Sequence, residues 1–311
     1  MPGHLMGILL RMSMLNSMPP LTATTFLLLW ASIIALWFGR RAWVAVLAIA
    51  AVAGYASHVL YGLGGLWVAL FAGFCVAYER ATLLPRAGTK PGVRPLAIGL
   101  SAAGLLIVAL LLGLHALPGF NNFLTLDHVV LSPGAEPYTL YLNFDKTIVG
   151  ICILGICSGP LLKSGADWGR ALRHAVPLIV ISTALVAGLA LAVGYLTWQP
   201  KWTSLFWIWA LSNLFFTCLS EEALFRGFIQ RQLSLALAGK SFGPWVAIGV
   251  SASLFGIAHF GGGLSYVALA TAAGVGYGIV YHRTKSIEMS MLAHFALNAT
   301  HFLLFTYPRT A

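Results

Sequence analysis

Two carboxylates stand side by side inside an apolar run: Glu221 and Glu222, in Leu-Phe-Phe-Thr-Cys-Leu-Ser-Glu-Glu-Ala-Leu-Phe-Arg from Leu214 to Arg226. The chain has eight acidic residues, and the other six (Glu79, Asp127, Glu136, Asp145, Asp167 and Glu288) fall in loops or near the ends of apolar runs. A carboxylate inside a bilayer costs roughly 2.5–3.5 kcal/mol on insertion scales, so two in succession imply a use. At helical spacing Glu222 and Arg226, four apart, share a face and can form an internal ion pair. Glu221 then points about 100° away, toward a different partner. One acid is charge-paired and structural, while the other is less compensated and available as a base. A network that only packs helices together would use the same residues, so the remaining polar positions have to decide.

His259 ends a later apolar run, in Phe255-Gly256-Ile257-Ala258-His259, and His294 lies in the last one, in His294-Phe295-Ala296-Leu297-Asn298. His294 and Asn298 are four apart and share a helix face. A single histidine in such a run is more often a hydrogen-bonded packing residue than a catalyst. Glu221, His259, His294 and Asn298 on three separate runs are another matter. A glutamate that takes a proton from water, a histidine that assists and a His/Asn pair that donates to an oxyanion are the parts needed to hydrolyse an amide.

The elements that must position these groups are set by composition. Of 311 residues 59% are apolar and 8% charged, with a mean hydropathy of +0.87. A soluble domain carries roughly a quarter charged residues, so a soluble enzyme, a secreted disulfide scaffold and a disordered chain are excluded. Apolar runs lie at about 21–38, 42–61, 64–78, 95–116, 147–162, 175–196, 203–230, 244–260, 264–281 and 287–306. At ~20 residues per spanning helix the shorter runs are marginal, which gives an all-α, polytopic transmembrane bundle of eight to ten spans. With ten spans, the basic groups at Arg40–Arg41, Arg80–Arg94, Lys163–Arg173, Arg231–Lys240 and Arg283–Lys285 fall on one side, which assigns these loops to the cytoplasm. The net charge of +10 is therefore a topology signal and calls for no nucleic acid. Cys75, Cys152, Cys157 and Cys218 all lie within apolar runs and read as small core residues.

Three divisions follow: an N-terminal segment 1–20 that need not belong to the fold, N-terminal transmembrane helices over 21–200 with an outer loop at 117–144, and a catalytic transmembrane core over 201–311. No cleavable leader is expected, because the first long apolar run is followed by Gly39-Arg40-Arg41.

Taken together, Glu-Glu-x-x-x-Arg (221, 222, 226), Phe-x-x-x-His (255, 259) and His-x-x-x-Asn (294, 298) resemble the CPBP intramembrane protease family. That family is also called Abi, or the CAAX-protease and bacteriocin-processing family, and includes the Rce1-type CAAX endopeptidases. The resemblance covers roughly 205–305. It implies a glutamic-type intramembrane endopeptidase acting on a membrane-associated protein or peptide, in contact with membrane lipids; the compact loops and the absence of a targeting segment point to the cytoplasmic membrane of a prokaryote. Glu221 would activate water with His259 assisting, His294 and Asn298 would form the oxyanion hole, and Glu222 and Arg226 would support the geometry. No cofactor is implied, with zinc held on the same residues as the secondary reading; Asn298 is a poor zinc ligand and a good oxyanion donor. A transporter would disperse its buried acids along a path, and an immunity or scaffold protein could retain the motif without using it.

Depth poses a geometric demand. His259 lies about 15 residues, roughly 22 Å along a straight helix, from Pro244, and His294 only about seven from Ile287. Strong tilt, a cavity or a re-entrant start to the 240s helix is required to bring them level. Gly274-Val275-Gly276-Tyr277-Gly278 is similar to a potassium filter but lacks its threonine; the simpler reading is a small-xxx-small face at Gly274 and Gly278 for close helix packing.

Overall fold

The computed structural model describes residues 18–85 and 92–311. Most of the N-terminal segment 1–20, and the basic positions Arg86 and Lys90, lie outside the described residues. The chain is mostly helical and forms two compact units, 1–130 with 137–155 and 131–136 with 156–311.

The first unit contains α1 (Pro20–Ala35), α2 (Arg40–Ala56), α3 (Gly64–Leu83), α4 (Val93–Gly113) and α5 (Phe144–Cys152). Its helices pack through Leu29, Ile33, Phe71, Leu105, Leu112 and Ile148, each with no exposed surface. The expected loop at 117–144 is not irregular throughout: β1 (Phe123–Val129) and β2 (Tyr138–Leu142) form an antiparallel pair in the register Phe123↔Leu142 to Val129↔Tyr138. Phe123, Thr125 and Val129 favour a strand, and register shifts on either side of Leu126 break the alternation, so that Thr125 and Leu126 are buried together and Asp127 and His128 are exposed together. Asp145, near the start of an apolar run, is buried; it accepts hydrogens from His115 Nδ1 at 2.7 Å, Asn122 at 3.0 Å and the Lys146 backbone at 2.7 Å.

The second unit holds α6 (Gly165–Ala192), α10 (Gly243–Ala258), α11 (Leu264–Thr284), α12 (Ile287–Leu304) and, between α6 and α10, a helical rod over 206–236. The rod begins as α7 (Phe206–Ser212), widens into a π turn at Asn213–Cys218, returns to α geometry in α8 (Leu219–Glu222), widens again at Ala223–Gln230 and ends in α9 (Arg231–Ala236). Single wide turns of this kind concentrate at functional sites. Here they bracket the two glutamates. Part of the cause is visible in the second turn, where the Ser251 hydroxyl of α10 donates to the Phe225 carbonyl at 2.7 Å.

The glycine face of α11 has the packing role its spacing suggested. A Cβ on Gly274 would lie 3.1 Å from the Ala252 Cα, and one on Gly278 would lie 2.9 Å from the Gln230 amide oxygen. Their carbonyls also accept hydrogens from the rod: Arg226 donates to Gly274 O at 3.0 Å and Gln230 to Gly278 O at 2.9 Å. Rod and helix are thus stitched at two levels one turn apart.

Beyond α12 the chain runs back along the unit. Thr306 donates to the Thr197 carbonyl, and Arg309 binds Glu136 at 2.8 Å and the Gly262 carbonyl at 3.1 Å. The Glu136 carboxylate holds the guanidinium of Arg309 above its usual range. Lys201 donates to the Phe305 carbonyl, and burial pulls its ammonium down to about 8.

Pro20–Phe38, Gly64–Leu83, Val93–Gly113, Gly165–Ala192 and Leu264–Thr284 are long and apolar enough to cross a membrane, and Gly243–Ala258 is a shorter apolar helix. All four cysteines are buried thiols.

Candidate active site

Glu222 is the hub of the site and has no exposed surface. Its Oε1 accepts hydrogens from Arg226 at 3.0 Å, the i,i+4 pair expected from the sequence, and from His294 Nδ1 at 2.9 Å; its Oε2 accepts from the Ser290 hydroxyl at 2.5 Å. These three hydrogen bonds offset much of the cost of burying the charge. Ser290 and His294 are four apart on α12 and reach the same carboxylate from one face.

Arg226 is equally buried, and its guanidinium lies 4.6 Å from the Phe255 ring centroid and 5.2 Å from that of Tyr277. Aromatic faces attract a cation, so its charge is held by the carboxylate, a backbone carbonyl and two rings. Tyr277 also stacks on His294, with centroids 4.7 Å apart and planes at 17°. The tyrosine of the glycine-rich stretch therefore orients a site histidine.

Glu221 occupies the face that helical geometry gave it, away from Arg226. Its Oε2 lies 3.8 Å from His259 Nε2 and 3.8 Å from His294 Nε2. Both imidazoles are fixed from behind. His259 Nδ1 meets the Phe255 carbonyl at 2.7 Å, which can only accept, and His294 Nδ1 meets the Glu222 carboxylate, which does the same. Both Nδ1 atoms therefore carry hydrogen, and both Nε2 atoms face Glu221. At 3.8 Å these contacts are longer than hydrogen bonds and of a length that a small bridging molecule can span.

Exposure is graded across the cluster. His294 and Glu222 are at most 5% exposed, Glu221 is 12% and His259 21%. Access is therefore on the side of Glu221 and His259, and the charge-paired groups lie behind them.

The helix α10 runs unbroken from Gly243 to Ala258 with His259 at its cap, and His259 meets His294, two turns into α12, at Glu221 Oε2.

Asn298 lies one turn beyond His294, and its Nδ2 donates to Asn213 Oδ1 at 3.1 Å and lies 3.9 Å from Cys218 Sγ. Five of the six expected side chains thus form one connected cluster, and Asn298 joins the rod beside it. Ser290, Tyr277 and Asn213 were not singled out from the sequence. A polar residue within an apolar run marked Ser290 and Asn213, but their partners are 68 and 85 residues away.

Glu221, His259 and His294 are the side chains a metal would have to recruit. Among the described residues, no group of three or more His, Cys, Asp and Glu side chains is arranged to hold a metal ion.

Residues 201–300 match the family model described as type II CAAX prenyl endopeptidase Rce1-like. That stretch is Rce1-like. It contains all six motif residues, Ser290, Tyr277 and Asn213, the whole rod, α10 and α11. No curated protein and no solved structure matches the chain.

Proposed function

We propose that the protein is an integral-membrane endopeptidase of CAAX type, hydrolysing a peptide bond in a membrane-associated protein or peptide. The observation that carries this reading is the convergence of His259 and His294, each with Nε2 3.8 Å from the same oxygen of Glu221, in an Rce1-like segment. A carboxylate flanked by two oriented imidazoles can bind and deprotonate a water molecule.

In the proposed reaction Glu221 takes a proton from the water, with His259 holding the same water, and the water oxygen bonds to the scissile carbonyl carbon. The oxyanion accepts hydrogens from Asn298 and from His294. Because His294 Nδ1 is committed to Glu222, its Nε2 has a hydrogen to give only as imidazolium, and the Glu222 carboxylate stabilises that cation. When the tetrahedral intermediate collapses, the C–N bond breaks and the proton on Glu221 passes to the leaving amine. Arg226 and Ser290 keep Glu222 in place through these steps.

Zinc on Glu221, His259 and His294 remains the second reading, since imidazoles tied back at Nδ1 are also the usual outer-shell arrangement of metal ligands. The eight to ten spans and the cytoplasmic face of the basic loops belong to this proposal, as does a prokaryotic inner membrane. Comparing protein termini in cells carrying the wild type and Glu221→Gln tests the function whatever the substrate is. A set of termini lost in the variant supports it, and identical termini contradict it.

A further inference from the structure

Asn213 opens the wide turn ahead of the glutamates, and the proposed chemistry gives it no part. Its Oδ1 accepts two hydrogens, from Asn298 Nδ2 at 3.1 Å and from Cys218 Sγ at 3.3 Å. Residues five apart on an α-helix point about 140° away from each other, so Asn213 and Cys218 would not meet in regular geometry. The π turn Asn213–Cys218, with its i→i+5 period, brings them onto one face. The distortion therefore builds a particular contact.

A carboxamide has nearly the same shape whichever way it is turned, with oxygen and nitrogen exchanged. An asparagine that is to donate to an oxyanion must have that choice made for it. An acceptor oxygen makes it, because only the nitrogen end of Asn298 can face Asn213 Oδ1. One hydrogen on that nitrogen goes to Asn213 Oδ1, and the other is directed at Cys218 Sγ 3.9 Å away, a weak acceptor that a developing oxyanion outcompetes. The Cys218 thiol donates to the same oxygen of Asn213. Cys218 lies three residues before Glu221, so the chain Cys218, Asn213, Asn298 ties the donor on α12 to the rod that carries the base.

We propose that Asn213 is a positioning residue for peptide-bond hydrolysis: it fixes the rotamer and flip of the Asn298 carboxamide, so that one N–H is held ready for the oxyanion. This inference rests on the assignment of Asn298 to the oxyanion hole.

The test is a double-mutant cycle on the full-length protein in detergent, with an internally quenched farnesylated CAAX peptide as substrate. Asn213→Leu is expected to lower kcat about tenfold with KM unchanged, the effect of one lost neutral hydrogen bond expressed in the transition state. In the Asn298→Ala background the same substitution is expected to change kcat by less than about twofold, because the group it acts through is gone. Asn213→Asp keeps the shape and the acceptor and is expected to stay within about threefold of wild type; it is read alongside, so that poor folding of the leucine variant does not decide the matter. Equal losses from Asn213→Leu in both backgrounds, or Asn213→Asp as slow as Asn213→Leu, overturn the inference alone. A wild-type kcat in Asn298→Ala overturns the oxyanion assignment beneath it.

Discussion

Glu222 accepts the Nδ1 hydrogen of His294 across 72 residues of sequence, on the same oxygen that holds Arg226. A pair read from sequence as a structural ion pair is therefore also the device that orients a site histidine. Removing either member of the Glu222–Arg226 pair therefore disturbs the fold and the site together.

Arg226→Ala and Glu222→Gln are expected to lower both thermal stability and turnover. Removing the guanidinium strands a buried carboxylate, a loss of about 3–5 kcal/mol for a broken buried pair. Glu222→Gln weakens the hold on His294 and leaves Arg226 without its counter-ion. Thermal melting in detergent checks both, and an unchanged Tm in Arg226→Ala contradicts the ion-pair argument.

Much of this arrangement was legible in the sequence for a simple reason: charges inside apolar runs are costly, so Glu221, Glu222, Arg226, His259 and His294 stand out without any structure. The i,i+4 spacing of Glu222 and Arg226 is a local relation, and it survives in the rod at 3.0 Å. The contact of Glu222 with His294 and Ser290 depends on the packing of α12 against the rod, which no local period encodes. Asn213 and Cys218 were hidden because α-helical periodicity separates residues that a π turn aligns. The strands at 123–142 were masked by the assumption that a link between spans is loop.

Gly256, three residues before His259, lies against α11. A Cβ there would fall 1.9 Å from Thr271 Oγ1 and 2.8 Å from the Val267 carbonyl oxygen. Gly256→Ala is expected to cost about 1–3 kcal/mol by overpacking and to reduce turnover by displacing the end of α10. Adding Thr271→Ala removes the nearer clash and should recover part of the Tm. A fully stable Gly256→Ala variant would show that the two helices are not held at this separation.

The proposed ten-span topology rests on the basic loops. A cysteine replacing Lys285 is expected to label with an impermeant thiol reagent only from the cytoplasmic face, and one replacing Pro133 only from the opposite face. Labelling of both from one side contradicts the ten-span arrangement.

If water is activated by Glu221 as a base, prolonged chelation of the purified enzyme leaves turnover unchanged, and zinc content stays well below one per chain. If Glu221, His259 and His294 are ligands, zinc is stoichiometric and its removal stops the reaction. Elemental analysis paired with the activity of the same samples separates these outcomes.

The most direct measurement is the turnover of Glu221→Gln beside its melting temperature. The substitution preserves shape and removes the basic oxygen between the two imidazoles, whereas Glu222, Arg226 and Ser290, which hold the site together, are untouched. The account expects cleavage of the quenched peptide to fall below about one percent of wild type, with the Tm maintained. Cleavage near the wild-type rate by a folded Glu221→Gln protein would contradict it.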